Sequence, residues 1–248
     1  MAYIPSCPEE AEFLKNYDPY AYENPAVTVD MALFAYDKAD ASLHLLLIKR
    51  GGYPFKGRLA LPGGFIELNE DLEASAAREL LEETGVSGIN PIQVYSFGAL
   101  GRDPRHRIIS VLHMALVDKA AVAPKAGDDA AFASWWKWEG FSFKDGRVSV
   151  TLRDGEKAMT FTATRQIGGR LTAPTDERIA ADHDLAICQA ALSLRESLVR
   201  GDIAAQLYPQ GTGAEQLSRL CVAAFLPGEA WRQNPLLTEK ETDLYSFC

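Results

Sequence analysis

The stretch from Gly64 to Val86, GFIELNEDLEASAARELLEETGV, places several acidic residues and one arginine at fixed spacings along the chain. Its central part, residues 72–84, contains neither Gly nor Pro and is rich in Ala, Leu and Glu, which favour helix. Gly85 follows directly, and glycine readily adopts the left-handed conformation that ends a helix. The sequence therefore predicts a helix over residues 72–84 that stops at Gly85.

Three glutamates of the predicted helix share one face. Glu79, Glu82 and Glu83 lie three and four residues apart, so their carboxylates project to one side, whereas Leu72 and Leu80 contribute to an apolar stripe. Clustered carboxylates repel one another, and such hard oxygen ligands favour Mg²⁺ or Mn²⁺, which proteins often share with substrate phosphates. The pattern predicts a metal site for diphosphate chemistry; the alternative is a solvated acidic helix with ordinary surface ion pairs.

Two features before and within the helix are expected to position these glutamates. Arg78 comes eight residues after Glu70 and can reach back to it, which would hold the preceding loop against the helix start. Residues 61–64, LPGG, predict the end of a strand followed by a sharp turn, where two glycines let the backbone approach a ligand.

Composition limits the classes of function. The chain has 248 residues, a formal net charge of -9 and a pI near 5.0, so a large core is expected and broad, sequence-independent nucleic-acid binding is not. Four scattered cysteines, Cys7, Cys188, Cys221 and Cys248, show no zinc spacing and are interpreted as free thiols. With neither a signal-like start nor an apolar run long enough to span a membrane, we expect a cytoplasmic protein.

The remaining pattern predicts an N-terminal arm, residues 1–24, lying extended over the protein or a partner subunit. Apolar β-branched runs predict strands at 26–36, 42–50, 59–61, 91–98, 107–117 and 133–138, and alternation around Asp154-Gly155 predicts a hairpin at 147–164. Residues 168–174 are predicted to be a linker, followed by helices at 182–199 and 214–225 and a strand at 243–247.

The motif from Gly64 to Val86 matches the Nudix box at every defining position. Its surroundings resemble the Nudix branch that contains ADP-ribose pyrophosphatases and the related NrtR regulators of NAD metabolism. The segments that carry this resemblance are ENPAVTVDMALF, LLLIKRGGYPFKGRLALPGGF, Gly101 to Arg105, Ala126 to Ala130, and Asp182-His183. The resemblance implies an α/β/α sandwich with a mixed sheet, residues 25–180, followed by a small winged-helix-like α+β domain, residues 181–248.

The resemblance also implies roles for particular residues. Glu79 and Glu83 are the expected metal ligands, with Glu82 as a third and the Gly64 carbonyl as a helper, while Arg78 and Glu70 orient them. The implied reaction is metal-assisted attack of water on a diphosphate, splitting ADP-ribose into AMP and ribose 5-phosphate with Mg²⁺ or Mn²⁺.

The general base and the substrate contacts stay open at the sequence level. Candidates for the base are Glu82, Glu79, Asp128 and Asp129, although the last two are equally well explained as solvated loop residues. Arg102 and Arg105 flank a turn and could bind phosphate or ribose oxygens, although a surface salt bridge explains them nearly as well. Lys49, Arg50 and Lys56 would add positive potential beside the acidic site. The four histidines are interpreted as structural or exposed, with His183 as a possible contact at a helix start. Trp135, Trp136 and Trp138 are interpreted as core or dimer packing.

An NrtR-like regulator is the second hypothesis. Such a protein would sense ADP-ribose and bind DNA through its C-terminal domain, usually with a damaged box, whereas this box is intact. From Leu185 onward the chain carries five basic against seven acidic residues, which suits DNA phosphates poorly. We therefore expect a homodimeric hydrolase whose C-terminal domain serves packing or dimerisation, with DNA binding as the alternative.

Overall fold

The computed structural model of the protein describes residues 3–125, 130–174, 176–241 and 243–247, and at residues 130, 131 and 241 only the backbone. The strands are β1 (Ala26–Asp37), β2 (Ser42–Arg50), β3 (Leu59–Ala60), β4 (Gly63–Phe65), β5 (Ile92–Phe97), β6 (Ile108–Asp118), β7 (Ala130–Lys144), β8 (Arg147–Asp154), β9 (Lys157–Arg165), β10 (Leu171–Thr172), β11 (Leu237–Glu241) and β12 (Leu244–Phe247). The α-helices are α1 (Pro8–Asn16), α2 (Leu72–Thr84), α3 (His183–Arg200) and α4 (Ala214–Ala223), and short 3-10 helices occupy Lys119–Ala121, Ile203–Gln206 and Ala230–Gln233.

One mixed sheet organises most of these strands, in the order β10-β9-β8-β7-β2-β1-β6-β5. Its neighbouring strands run antiparallel except for β1 and β6, which are parallel over their whole pairing. The short strands β3 and β4 pair with β2 and β1 at the end of the sheet where β1 begins. The central strands β1 and β2 are almost wholly buried, which explains why their sequences are continuous apolar runs.

Helices cover both faces of this sheet. On one face, Leu80 of α2 packs with Met31 and Leu33 of β1, and on the other face Ile187 and Leu194 of α3 join the cluster that contains Phe34. Successive residues of β1 alternate between the two faces, as the pleat of a strand requires. The predicted α/β/α sandwich with a mixed sheet is confirmed.

The box helix α2 begins and ends as the sequence predicted. Gly85 takes the left-handed conformation with φ 70°, and its N–H donates to the carbonyl of Leu81 at 2.8 Å. This cap stops the helix immediately after the three glutamates.

The C-terminal segment contains α3, α4 and the β11–β12 hairpin. Its helix α3 lies on the main sheet, whereas Leu217 and Cys221 of α4 form a smaller cluster with Trp231. The winged-helix-like assignment and the boundary between residues 180 and 181 stay predictions.

Two local expectations differ from the structure, and a third is confirmed. The arm is not extended throughout, because α1 forms over Pro8–Asn16 with proline at its first position and Glu9 and Glu10 in its first turn. The predicted hairpin at 147–164 is present as β8 and β9, and it extends the main sheet through β7. The predicted linker contains β10, which pairs with β9.

The cysteines Cys7, Cys188 and Cys221 are free thiols, two of them buried, and Cys248 lies outside the described residues. Across the part of the chain that the structure describes, no helix is both long and apolar enough to cross a membrane.

Candidate functional site

Two glycines bring β4 into close contact with its neighbours. A Cβ atom on Gly63 would lie 2.2 Å from the carbonyl oxygen of Val29, and one on Gly64 would lie 2.4 Å from a carboxylate oxygen of Glu79. Both distances are far below van der Waals contact, so no larger residue fits at either position without displacing the backbone or the glutamate. The glycines therefore place the β4 backbone directly against the carboxylates of α2, as the sequence suggested.

Arg78 ties the loop before α2 to the glutamates of the helix. Its Nε donates to both carboxylate oxygens of Glu70 at 3.0 Å, and its Nη1 donates to Glu79 at 2.8 Å and to Glu82 at 3.0 Å. Its Nη2 donates to the carbonyl of Phe65 at 3.0 Å. The predicted pairing of Arg78 with Glu70 is therefore present, and one guanidinium fixes the direction of two further carboxylates.

Glu83 is the most deeply buried of the three glutamates. It is 8% exposed, and one of its carboxylate oxygens accepts a hydrogen bond from the Gly63 N–H at 2.9 Å. Loss of hydration raises the pKa of Glu83 to about 7. The hydrogen bond from the Gly63 N–H and the positive charge of Arg50 lower this pKa, whereas the negative charges of Glu79 and Asp30 raise it.

The pKa of Glu79 is raised as well. Burial raises the pKa of the Glu79 carboxyl despite its contact with Arg78, and the nearby charges of Glu82 and Glu70 act in the same direction. The side chain of Glu82 is 56% exposed and faces outward. A divalent cation would supply the missing charge, and the donor set of carboxylate oxygens suits Mg²⁺ or Mn²⁺.

Most of the predicted site residues that the structure describes line one pocket of about 410 Å³. Its acidic side is formed by Glu79, Glu82 and Glu83 beside Gly64. Its basic side carries the predicted arginines Arg50, Arg102 and Arg105. Glu70 and Arg78 do not line the pocket, but Arg78 binds both Glu70 and the lining glutamates, which agrees with an orienting role. The predicted Asp128 and Asp129 lie outside the described residues.

The arginines of the pocket differ in how firmly they are already engaged. Arg102 donates to both oxygens of Asp182 at 2.9 and 2.6 Å, and its side chain is only 5% exposed. Arg105 pairs with Asp103 but remains 40% exposed and lies over the Phe65 ring at 5.1 Å. Arg50 donates through Nε to the carbonyl of Pro54. Arg50 and Arg105 therefore present the more accessible positive charge, and contact of Arg102 with a ligand stays a prediction.

Two pocket residues were not singled out as ligands from the sequence. Asp30 of β1 is buried, accepts a hydrogen bond from Ser110 Oγ and lies 3.7 Å from His183 Nε2. The other nitrogen of His183, Nδ1, accepts a hydrogen bond from the Leu61 N–H at 3.0 Å. The detectable signal for Asp30 was a carboxylate inside an otherwise apolar strand, because such a charge needs partners.

A second group of potential metal ligands lies at the opposite end of the β1–β2 hairpin. Asp37, Asp40 and His44 place one ligand atom each within 4.8 Å of the others. Each carboxylate already has a lysine partner, at 3.2 Å from Lys119 to Asp37 and 3.1 Å from Lys137 to Asp40. This group is close in space but largely neutralised.

Comparison with known proteins identifies the region around the pocket. The family model described as the NUDIX domain matches residues 25–175. The ADPR responsive transcriptional repressor NtrR of Acinetobacter baylyi is 45% identical over 111 residues, covering 44% of each chain. The ADP-ribose pyrophosphatase of Methanocaldococcus jannaschii is 39% identical over 123 residues, covering 50% of this chain and 67% of the relative. The chain thus spans less than half the length of the repressor.

Among solved structures, a MutT/nudix family protein from Enterococcus faecalis matches with a TM-score of 0.74 and 25% identity. The match covers 98% of this chain and 94% of that protein, so the similarity of fold extends through the C-terminal segment.

Proposed function

The chain belongs to the NUDIX family, and from this membership we propose that it is a metal-dependent hydrolase of nucleoside diphosphate derivatives, with ADP-ribose as substrate and AMP and ribose 5-phosphate as products. The observation that carries the proposal is the pocket in which Glu79, Glu82 and Glu83 face Arg50 and Arg105. The 39% identity to an ADP-ribose pyrophosphatase supports this choice of substrate.

Glu79, Glu82 and Glu83, with the Gly64 carbonyl, would hold the Mg²⁺ or Mn²⁺. A divalent ion bound there would neutralise a diphosphate and lower the pKa of water. The donor set fits, because Glu79 and Glu83 are buried with too little positive charge nearby.

The protein's own groups would supply positioning. Arg78 and Glu70 hold the carboxylates of α2 in one direction, and Glu83 is fixed by the Gly63 N–H. Arg50 and Arg105 would bind the phosphate oxygens of the substrate opposite these carboxylates. Glu82, being exposed at the mouth of the pocket, is the described candidate for accepting a proton from water.

The decisive experiment measures AMP release from a panel of nucleoside diphosphate sugars and dinucleotides with Mg²⁺ or Mn²⁺. Glu83→Gln should lower kcat roughly 100-fold or more, because a metal ligand contributes several kcal/mol to the transition state. Glu73→Gln is the matched control: it lies on the exposed side of the same helix and should change kcat less than about 2-fold. Absence of turnover across the panel would contradict the proposal.

A ligand-sensing regulator is the second candidate, favoured by the 45% identity to a transcriptional repressor. Two contacts would couple the pocket to the C-terminal helix, from Asp182 to Arg102 and from His183 to the Leu61 N–H. Fluorescence anisotropy with promoter DNA at several salt concentrations tests this candidate. Binding that weakens steeply with salt and responds to ADP-ribose would support a regulator.

A homodimer is also proposed. It is supported by the arm, whose Phe13, Tyr20 and Tyr22 are 63%, 78% and 79% exposed. Light scattering coupled to size-exclusion chromatography tests it, with a protein lacking residues 1–24 as the comparison.

A further inference from the structure

A second depression, which we call the β7 groove, lies behind the loop that borders the metal pocket. It has a volume of about 1040 Å³ and is lined by Phe132, Ser134 and Trp136 of β7 together with Lys49, Lys56 and Lys157. The loop of residues 51–57 separates the two spaces, because Gly52, Tyr53 and Phe55 line the pocket whereas Lys56 and Gly57 line the groove.

Two residues that line the β7 groove carry buried polar atoms without a hydrogen-bond partner among the described residues. Trp136 is 4% exposed, and its indole Nε1 has no hydrogen-bond partner among the described residues. Ser134, two residues earlier on the same face of β7, has an Oγ that is also buried and without a partner in the described part of the chain. Buried polar groups are nearly always paired in folded proteins, so these atoms point to a ligand that offers an acceptor.

An aromatic ring stands at the open side of the groove. Phe132 is 50% exposed, so its ring is accessible to a ligand. A planar ring of a ligand could stack on it and cover it, with the acceptor edge of that ring directed to Trp136.

The charge of the groove is opposite to that of the protein. Lys49, Lys56 and Lys157 form no ion pair with any described residue, while Arg178 is paired with Asp176. The lining contains two carboxylates, Asp154 and Glu156, in a chain whose formal net charge is -9. A local excess of lysine in an acidic protein favours a compact anion such as phosphate.

We propose that the β7 groove binds a nucleoside phosphate. The base stacks on Phe132 and accepts a hydrogen bond from Trp136 Nε1, and the phosphate binds Lys49, Lys56 and Lys157. Arg50 borders both spaces, but none of the box glutamates lines the groove, so we treat the groove as a second ligand site whose test is separate from that of the proposed hydrolysis.

The test uses the indole N–H signals of the full chain in a nuclear magnetic resonance titration with AMP, in the presence of EDTA. The chain contains four tryptophans, and of these Trp136 alone lines the groove. Trp136→Phe assigns its signal, and thermal unfolding of that variant checks that it folds. We expect the Trp136 signal to shift on addition of AMP while the other three indole signals stay in place.

Variants at exposed positions test the remaining contacts without disturbing the core. Lys157→Glu and Phe132→Ala should each weaken AMP binding about 10-fold, because each removes a direct contact with the ligand. Lys144→Glu is the matched control, since it makes the same charge change at the other end of β7 and should alter affinity less than about 2-fold.

Ligand fragments decide whether both halves of the contact matter. Adenosine, ribose 5-phosphate and inorganic phosphate should each bind about 10-fold or more weakly than AMP. Titration with ADP-ribose tests whether the groove binds a free nucleotide or the nucleotide end of a longer ligand. If the signals of Trp136 and of the Gly63 and Gly64 amides shift together, one ligand spans both spaces and its nucleotide lies in the groove. An unshifted Trp136 signal, equal binding of inorganic phosphate and AMP, or unchanged affinity in Lys157→Glu and Phe132→Ala would each overturn the proposal.

Discussion

The two ends of the β1–β2 hairpin both gather acidic residues, yet they differ in how charge is balanced. At the end with Asp37 and Asp40, each carboxylate has a lysine within 3.2 Å. At the other end, Arg78 is in direct contact with Glu79 and Glu82, while Glu83 accepts, among the described residues, a hydrogen bond from the backbone N–H of Gly63 alone. The two ends therefore differ in the number of carboxylates that each cation serves: one lysine per carboxylate at the first end, and one arginine for Glu70, Glu79 and Glu82 at the second.

The largest expected effect is that of metal removal. EDTA should lower turnover at least about 1000-fold, because the carboxylates around Gly64 then lack the cation needed to bind a diphosphate, and added Mn²⁺ should restore it. The double variant Asp37→Asn with Asp40→Asn should show the same loss and the same recovery. If that variant no longer recovered with Mn²⁺, the functional metal would lie at the lysine-paired end.

A smaller effect is expected for Arg78→Lys. A lysine carries its N–H donors on one nitrogen and cannot reproduce the contacts that Arg78 spreads over Nε, Nη1 and Nη2, so the carboxylates would lose their fixed direction and kcat should fall roughly 10- to 100-fold. Steady-state kinetics of Arg153→Lys provide the control, because Arg153 forms a single exposed pair with Glu139. Unchanged kinetics in Arg78→Lys would remove Arg78 from the positioning of the site.

The smallest effect concerns stability at the lysine-paired end. Burial, aided by Lys119, lowers the pKa of His44 to about 4, so the unfolded chain takes up a proton below about pH 6.5 whereas the folded protein does so only near pH 4. This contribution is therefore fully present above pH 6.5 and is lost as the pH falls toward 4. Its size is on the order of 2 kcal/mol, since part of the shift is relieved by local relaxation.

Urea unfolding between pH 4 and 7 measures this dependence. His44→Gln should show a flatter profile than the wild type, and His106→Gln, at an exposed position, should follow the wild type. Parallel profiles for all three proteins would show that His44 is not the group responsible.

Local sequence signals predicted the parts of the molecule that depend on neighbouring residues. Gly85 fixed the end of α2, and the spacing of eight residues between Glu70 and Arg78 correctly indicated their contact. Helix α1 was not predicted, because the tyrosine-rich segment after it suggested an extended arm. Pro8 followed by two glutamates is nevertheless a favourable helix start.

Contacts between distant parts of the chain could not be derived in this way. The imidazole of His183 meets the Leu61 N–H across 122 positions, and Arg102 meets Asp182 across 80. No periodicity or spacing rule encodes such pairs, because they depend on how α3 lies on the sheet. The similarity of Asp182-His183 to a family pattern was the sole sequence-level indication of them.

The first turn of α3 has a practical consequence for dissecting the protein. A truncation just before Asp182 would remove the carboxylate that pairs with Arg102 and would deprive the Leu61 N–H of its acceptor. The chain between the box and the C-terminal helix therefore cannot be divided cleanly at that junction. His183 of the C-terminal helix lines the ligand pocket directly, and Asp182 just before it pairs with Arg102 of that pocket, so removing the helix would also remove part of the pocket wall.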